Sequence, residues 1–113
     1  MIGEQKDGTR EQCIFCKIVR KETSTFMVYE DEEFAVFPDI RPKAPVHLLV
    51  IPKRHIATLH DIKESDMELM GKLMWTTRKV AKEKDLKGYK LQMNVGKEGG
   101  QDVDHMHLHL LAQ

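Results

Sequence analysis

The chain has 113 residues, enough for one domain and too few for two ordinary ones. Lys plus Arg and Asp plus Glu number 18 each, which argues against a basic nucleic-acid footprint and against a polybasic membrane patch. With 41% hydrophobic and 32% charged residues the composition is that of a globular protein, and apolar runs such as Leu48 to Ile51 are far short of the ~20 residues a membrane span needs.

Residues 1–12 contain no apolar stretch, so a secretory signal is not expected and disorder is. Cys13 and Cys16 do not make a disulfide framework; they read as reduced thiols available to a metal or to redox chemistry. Cys13 to Lys21 carries Ile14, Ile18 and Val19 at helical spacing and predicts a short helix. Phe26 to Tyr29 and Phe34 to Phe37 flank the charged turn Glu30 to Glu33, which predicts a hairpin. Prolines at 38, 42 and 45 make the next segment a loop. Val46 to Pro52 reads as a central strand buried on both faces. Ser65 to Asp85 is the main helix, opened by a Ser65–Glu68 capping box and closed by Gly88. Its apolar face runs through Met67, Met70, Leu73, Met74, Thr77, Val80 and Ala81. Tyr89 to Val95 alternates as a strand, with Lys90, Gln92 and Asn94 sharing one face. A loop with Gly99-Gly100 leads to a last strand, His105 to Leu111. The order predicts an α+β domain with a mainly antiparallel sheet, one long helix and one short one.

His105, His107 and His109 alternate with Met106, Leu108 and Leu110. In a strand this puts three imidazoles on one face, ~7 Å apart. Imidazole attacks phosphorus and leaves again, and neighbouring imidazoles orient it and carry protons. The glycine pair beside the row lets backbone N–H groups approach a phosphate. One histidine alone would be an ordinary polar surface residue, and the glycine pair alone an ordinary turn. His60 and Trp75 have no assignable chemistry; His60 reads as surface, Trp75 and the methionine-rich helix face as core or dimer interface.

The run His105-Met106-His107-Leu108-His109-Leu110-Leu111 resembles the signature of the histidine triad (HIT) superfamily, in which histidines alternate with apolar residues. The resemblance extends over roughly residues 13–111, through Cys13-Ile14-Phe15-Cys16-Lys17-Ile18, Phe37-Pro38-Asp39-Ile40, Ala44-Pro45-Val46-His47, Pro52-Lys53-Arg54-His55-Ile56, Asn94 and Gly99-Gly100-Gln101. It looks most like the Hint branch, which implies a single HIT domain over residues 13–113, a cytoplasmic homodimer and no nucleic-acid or membrane partner. The implied activity is hydrolysis of purine nucleoside phosphoramidates through a covalent nucleotidyl-histidine. The resemblance makes His107 the nucleophile and gives His109 phosphate contact and proton transfer. It gives His47 the orientation of the nucleophile, and Asp39 the ribose hydroxyls. Asn94, Gly100, Gln101 and Asp102 would lie near ribose and phosphate, with Ile14, Phe15, Ile18, Phe37 and Ile40 walling the purine. Some family members bind structural zinc, which here would take Cys13, Cys16, His55 and His105; the catalytic step itself implies no cofactor.

Three departures from the family pattern limit what carries over. Asp102 stands where relatives often carry serine, Asp104 where an apolar or aromatic residue is usual, and the sequence ends at Gln113 where Hint proteins often continue. The alternatives are a dinucleoside polyphosphate hydrolase of the same superfamily, a nucleotide-binding regulatory protein without catalysis, and a metalloenzyme whose histidine row holds a catalytic ion.

Overall fold

The computed structural model describes residues 12–113; the segment expected to be disordered lies outside the described residues, apart from residue 12. Five antiparallel strands form one sheet: β1 (Tyr29–Glu30), β2 (Phe34–Pro38), β3 (Val46–Pro52), β4 (Lys90–Gln92) and β5 (Leu108–Ala112). Their spatial order is β1-β2-β3-β5-β4, so β3 and β5 are central and β4 is an edge. A short helix α1 (Ile14–Val19) and a long helix α2 (Met67–Glu83) complete the α+β architecture. Among the described residues, no helix is long and apolar enough to cross a membrane.

Strand alternation sorts the core into two layers. Phe34, Val36, Leu48, Val50, Leu108 and Leu110 face α2 and meet Leu73, Val80 and Ala81. The residues between them, Ala35, Phe37, Leu49 and Ile51, face α1 and meet Cys13, Phe15 and Cys16. β3 is buried on both faces along most of its length, as its unbroken apolar run requires.

Several element boundaries differ from the sequence reading. The first arm of the hairpin is Tyr29–Glu30 rather than Phe26 to Tyr29, and Asp31 Oδ1, accepting the N–H groups of Glu33 and Phe34, fixes the turn that follows it. Helix α2 is not opened by a Ser65–Glu68 box. Instead Asp66 accepts the Lys63 N–H at 2.9 Å and the Arg54 guanidinium at 2.6 Å, and α2 follows from it. Nor does Gly88 close it. Asp85 takes the left-handed turn (φ 56°), and the Leu86 N–H returns to the Ala81 carbonyl. On α2, Leu73, Thr77, Val80 and Ala81 are buried as expected, whereas Met67, Met74 and Trp75 are exposed. β5 begins at Leu108 rather than His105. The register continues Met106 toward Pro52, which has no N–H to donate, and Met106 instead donates to the Ile56 carbonyl. β4 is likewise confined to three residues, because Asn94 turns its side chain to the Gly99 carbonyl and starts the glycine loop.

Candidate active site

The register explains why three elements converge on one face. His109 lies opposite Leu49, and His47 lies opposite Leu111, so His47 and His109 are diagonal neighbours on the α1 side of the sheet. Their rings meet with His47 Nε2 2.9 Å from His109 Nδ1. His107 continues the same parity and packs beside His109, with ring centroids 5.0 Å apart. Phe15 of α1 sets its ring against His107 at 5.2 Å, against His105 at 5.8 Å and against Phe37 at 5.5 Å. These pairs are edge-on, the favoured arrangement for aromatic quadrupoles.

Carbonyl oxygens only accept, and this fixes the protons on two rings. His107 Nδ1 lies 2.8 Å from the His105 carbonyl, so Nδ1 carries the hydrogen and Nε2 the lone pair. His105 Nε2 lies 2.7 Å from the Pro52 carbonyl, which leaves its Nδ1 lone pair toward Cys13 Sγ at 3.3 Å. A third ring is fixed from the opposite direction. The Lys43 N–H donates to His47 Nδ1 at 3.0 Å, so His47 Nε2 carries the hydrogen. It points at His109 Nδ1 and also sits 3.4 Å from Asp39 Oδ2. His109 Nδ1 then accepts, and neutral His109 keeps its hydrogen on Nε2. His47 therefore reaches the triad through His109, while the His105 carbonyl orients His107.

Burial holds His105 down to about 4, with the neighbouring His55 and His107 adding to the effect and the Pro52 contact opposing it. His109 is also lowered, first by burial and then by His107 and His47, against Asp39 and Asp102. Both imidazoles are neutral at pH 7, one ready to ligate and the other to donate its Nε2–H as a hydrogen bond.

A cleft of about 480 Å³ opens in front of this row. Ile14, Phe15, Ile18 and Ile40 supply apolar lining, and Asp39, Asp102, His107 and His109 supply polar lining. Asp39 is held by the Arg41 N–H on Oδ1 at 2.9 Å. Asp102 brings Oδ1 to 3.6 Å from His107 Nε2. Asn94 and Gly100 lie further along, in an adjoining cavity. Two expected cleft residues are placed elsewhere. Phe37 is buried behind Phe15 rather than exposed to the cleft. Gln101 is buried too: Oε1 accepts the Gly96 N–H, and Nε2 donates to the Ala57 and Val103 carbonyls. It anchors the loop and presents no polar atom to a ligand. The cleft also takes Thr23, Ser24, Thr25, Leu49 and Val103, which no motif singled out.

Cys13, Cys16, His55 and His105 gather with one donor atom each, all within 4.8 Å of one another. The measured S···N separations are 3.2, 3.3 and 3.6 Å. A tetrahedral zinc with ordinary bonds to sulfur and nitrogen has S···N edges of roughly 3.5 Å, so the donor set fits that ion. His105 donating Nε2–H to a carbonyl is the outer hydrogen bond that orients a ligating imidazole. Four protein ligands leave no open position, so zinc here would clamp α1 to the sheet. His60 is exposed, as expected.

A family model described as scavenger mRNA decapping enzyme C-term binding matches residues 12–113. The chain is 45% identical over 103 residues to Protein HitA of Neisseria gonorrhoeae, covering 90% of this chain and 96% of that one. It is 39% identical over 104 residues to the purine nucleoside phosphoramidase of Escherichia coli strain K12, covering 90% and 87%. Among solved structures, a HIT family hydrolase from Legionella pneumophila Philadelphia 1 superimposes with a TM-score of 0.87 at 47% identity, covering 89% of this chain and 92% of that one. A zinc-bound histidine triad family protein from Mycobacterium smegmatis does so with a TM-score of 0.78 at 34% identity, covering 93% and 77%.

Proposed function

The chain belongs to the histidine triad superfamily, and we propose that it is a hydrolase of purine nucleoside 5′-phosphoramidates working through a nucleotidyl-His107 intermediate. One observation carries the reading: His107 Nδ1–H is committed to the His105 carbonyl, which leaves the Nε2 lone pair uncommitted on a ring that lines the cleft.

The nucleoside lies between the Ile14–Phe15–Ile18 wall and Ile40, with Asp39 accepting from the ribose hydroxyls. His107 Nε2 forms a bond to the α-phosphorus as the P–N bond breaks, and the amine departs with a proton taken up by its nitrogen from solvent, while His109 Nε2–H donates a hydrogen bond to a phosphoryl oxygen. Attack makes the His107 ring cationic, which strengthens the Nδ1–H bond to the His105 carbonyl in the transition state. Water then displaces His107 and releases the nucleoside monophosphate. Each turnover consumes one phosphoramidate and one water and yields one monophosphate and one amine.

Zinc on Cys13, Cys16, His55 and His105 belongs to the same reading, as a clamp outside the reaction. So does a single HIT domain over 13–113 in a cytoplasmic homodimer. The dimer is supported by the open edge of β4 and by exposed Met74, Trp75 and Tyr89 around a hollow beside it. The test is release of AMP from adenosine 5′-phosphoramidate by wild-type protein and by His107→Ala. Loss of a covalent nucleophile costs on the order of a thousandfold or more. Retention of over about a tenth of wild-type turnover would refute the assignment of His107.

A further inference from the structure

Beyond His109 the cleft opens into a second cavity of about 380 Å³. Asp39, Arg41, Asp102 and His109 border both spaces, whereas His107 borders the cleft and not the second cavity. In-line displacement sends the leaving group away from the nucleophile. With phosphorus at His107 Nε2, the second space, which His107 does not border, is the one away from the nucleophile.

The charge there is distinctive. Lys43, Lys90 and Arg41 line it, and none of the three makes an ion pair among the described residues. The sheet register puts Lys90 opposite Leu111, and Leu111 opposite His47, so Lys90 rises from the same face as the histidines. The two carboxylates of the cavity are engaged on its border with the cleft. Asp39 takes the Arg41 N–H and faces His47, and Asp102 faces His107. Uncommitted positive charge thus collects on the far side of a chain whose formal charges cancel.

We propose that this cavity is a leaving-group subsite selective for an anionic departing moiety, one bearing a carboxylate or a phosphate. The inference rests on the phosphoramidase reading and names its substrate class. Arg41 and Lys43 contribute their contacts to Asp39 and His47 through backbone N–H groups, so their side chains stand apart from those hydrogen bonds.

The experiment compares kcat/KM for adenosine 5′-phosphoramidates of glycine and of glycinamide, with diadenosine tetraphosphate as a third substrate. Each is run on wild-type protein and on the Lys43→Gln/Lys90→Gln double variant. The comparison between proteins cancels the intrinsic difference between the two amines. The glycine-to-glycinamide ratio is expected to fall on the order of tenfold in the variant, the scale of two exposed ion pairs. In wild type it is expected to decline as salt is raised. A larger loss on diadenosine tetraphosphate than on the glycine compound would identify the anion as phosphate; the reverse would identify it as carboxylate. Turnover of both amides with a ratio that neither the double substitution nor salt changes would overturn the subsite alone. No turnover of any of the three substrates by wild-type protein would overturn the phosphoramidase reading and the subsite with it.

Discussion

Replacing Gln101 by alanine tests the claim that this side chain holds the phosphate-side loop rather than a ligand. Its amide makes three bonds to backbone: from the Gly96 N–H at 2.8 Å, to the Ala57 carbonyl at 2.6 Å and to the Val103 carbonyl at 2.9 Å. Each neutral bond contributes about 1 kcal/mol, and part-buried partners left unsatisfied cost more, so Gln101→Ala should destabilise by about 3 kcal/mol. For a domain of this size that lowers Tm by roughly 15 °C. Gln101→Glu keeps the acceptor for Gly96 but sets a carboxylate against two carbonyl oxygens, and should cost at least as much near neutral pH. Urea unfolding followed by tryptophan fluorescence reads both, with the midpoint falling at constant slope. Gly100 and Asp102 flank Gln101, so KM for a nucleotide substrate should rise in the same variants. A loss below about 0.5 kcal/mol for the alanine variant, within the range of an ordinary surface change, would refute the anchoring argument.

Stability should fall in acid for a reason visible at His105. Its folded value is about 4 against an ordinary 6.5, so the unfolded chain binds the proton first. The contribution is complete above pH 6.5, declines as pH drops through the window and is gone below about 4, a loss of roughly 3 kcal/mol. His109 shifts in the same direction and adds to the slope. Urea midpoints measured from pH 7.5 to 4 in chelator check it, and a flat profile would contradict it. Metal analysis of protein purified without chelator should give about one zinc per chain. Cys13→Ser should lower both the zinc content and Tm, and near-zero zinc in wild type would remove the clamp.

The parts of this fold that sequence made legible are those where one short-range rule acts alone. Val46 to Pro52 is a continuous apolar run and became the central strand at the expected limits. The alternation of Lys90, Gln92 and Asn94 placed them together, and all three line the same cavity. Some boundaries moved because a side chain beyond the periodic pattern intervened, near or far in sequence. Arg54 and Lys63 make Asp66, not Ser65, the start of α2. Pro52, fifty-odd residues earlier in the chain, shortens β5. The triad and the Cys13–Cys16 pair were readable because each residue type is chemically distinctive at its spacing, whereas His55 and His105 joined that pair only through the family resemblance. Gln101 was misplaced because an amide in a glycine loop looks the same whether it serves a ligand or the loop itself. Thr23 to Thr25 carry no pattern at all, and they reach the cleft lining just after Lys21 takes the left-handed conformation (φ 65°).

The ring-to-ring contacts behind the nucleophile have a direction. The Lys43 amide hydrogen occupies one nitrogen of His47, which sends the His47 hydrogen toward His109 and the His109 hydrogen outward to the cleft. Two neutral imidazoles in series are thereby a polarised wire, with a single peptide group as its terminal. Proline in place of Lys43 would remove that terminal and set a ring carbon against His47 Nδ1, leaving the pair of rings without a fixed direction. The same residue carries its charge on a side chain that the terminal does not use. Charge in the far cavity and polarity in the wire can therefore change separately, one through what is attached at position 43 and the other through its backbone alone.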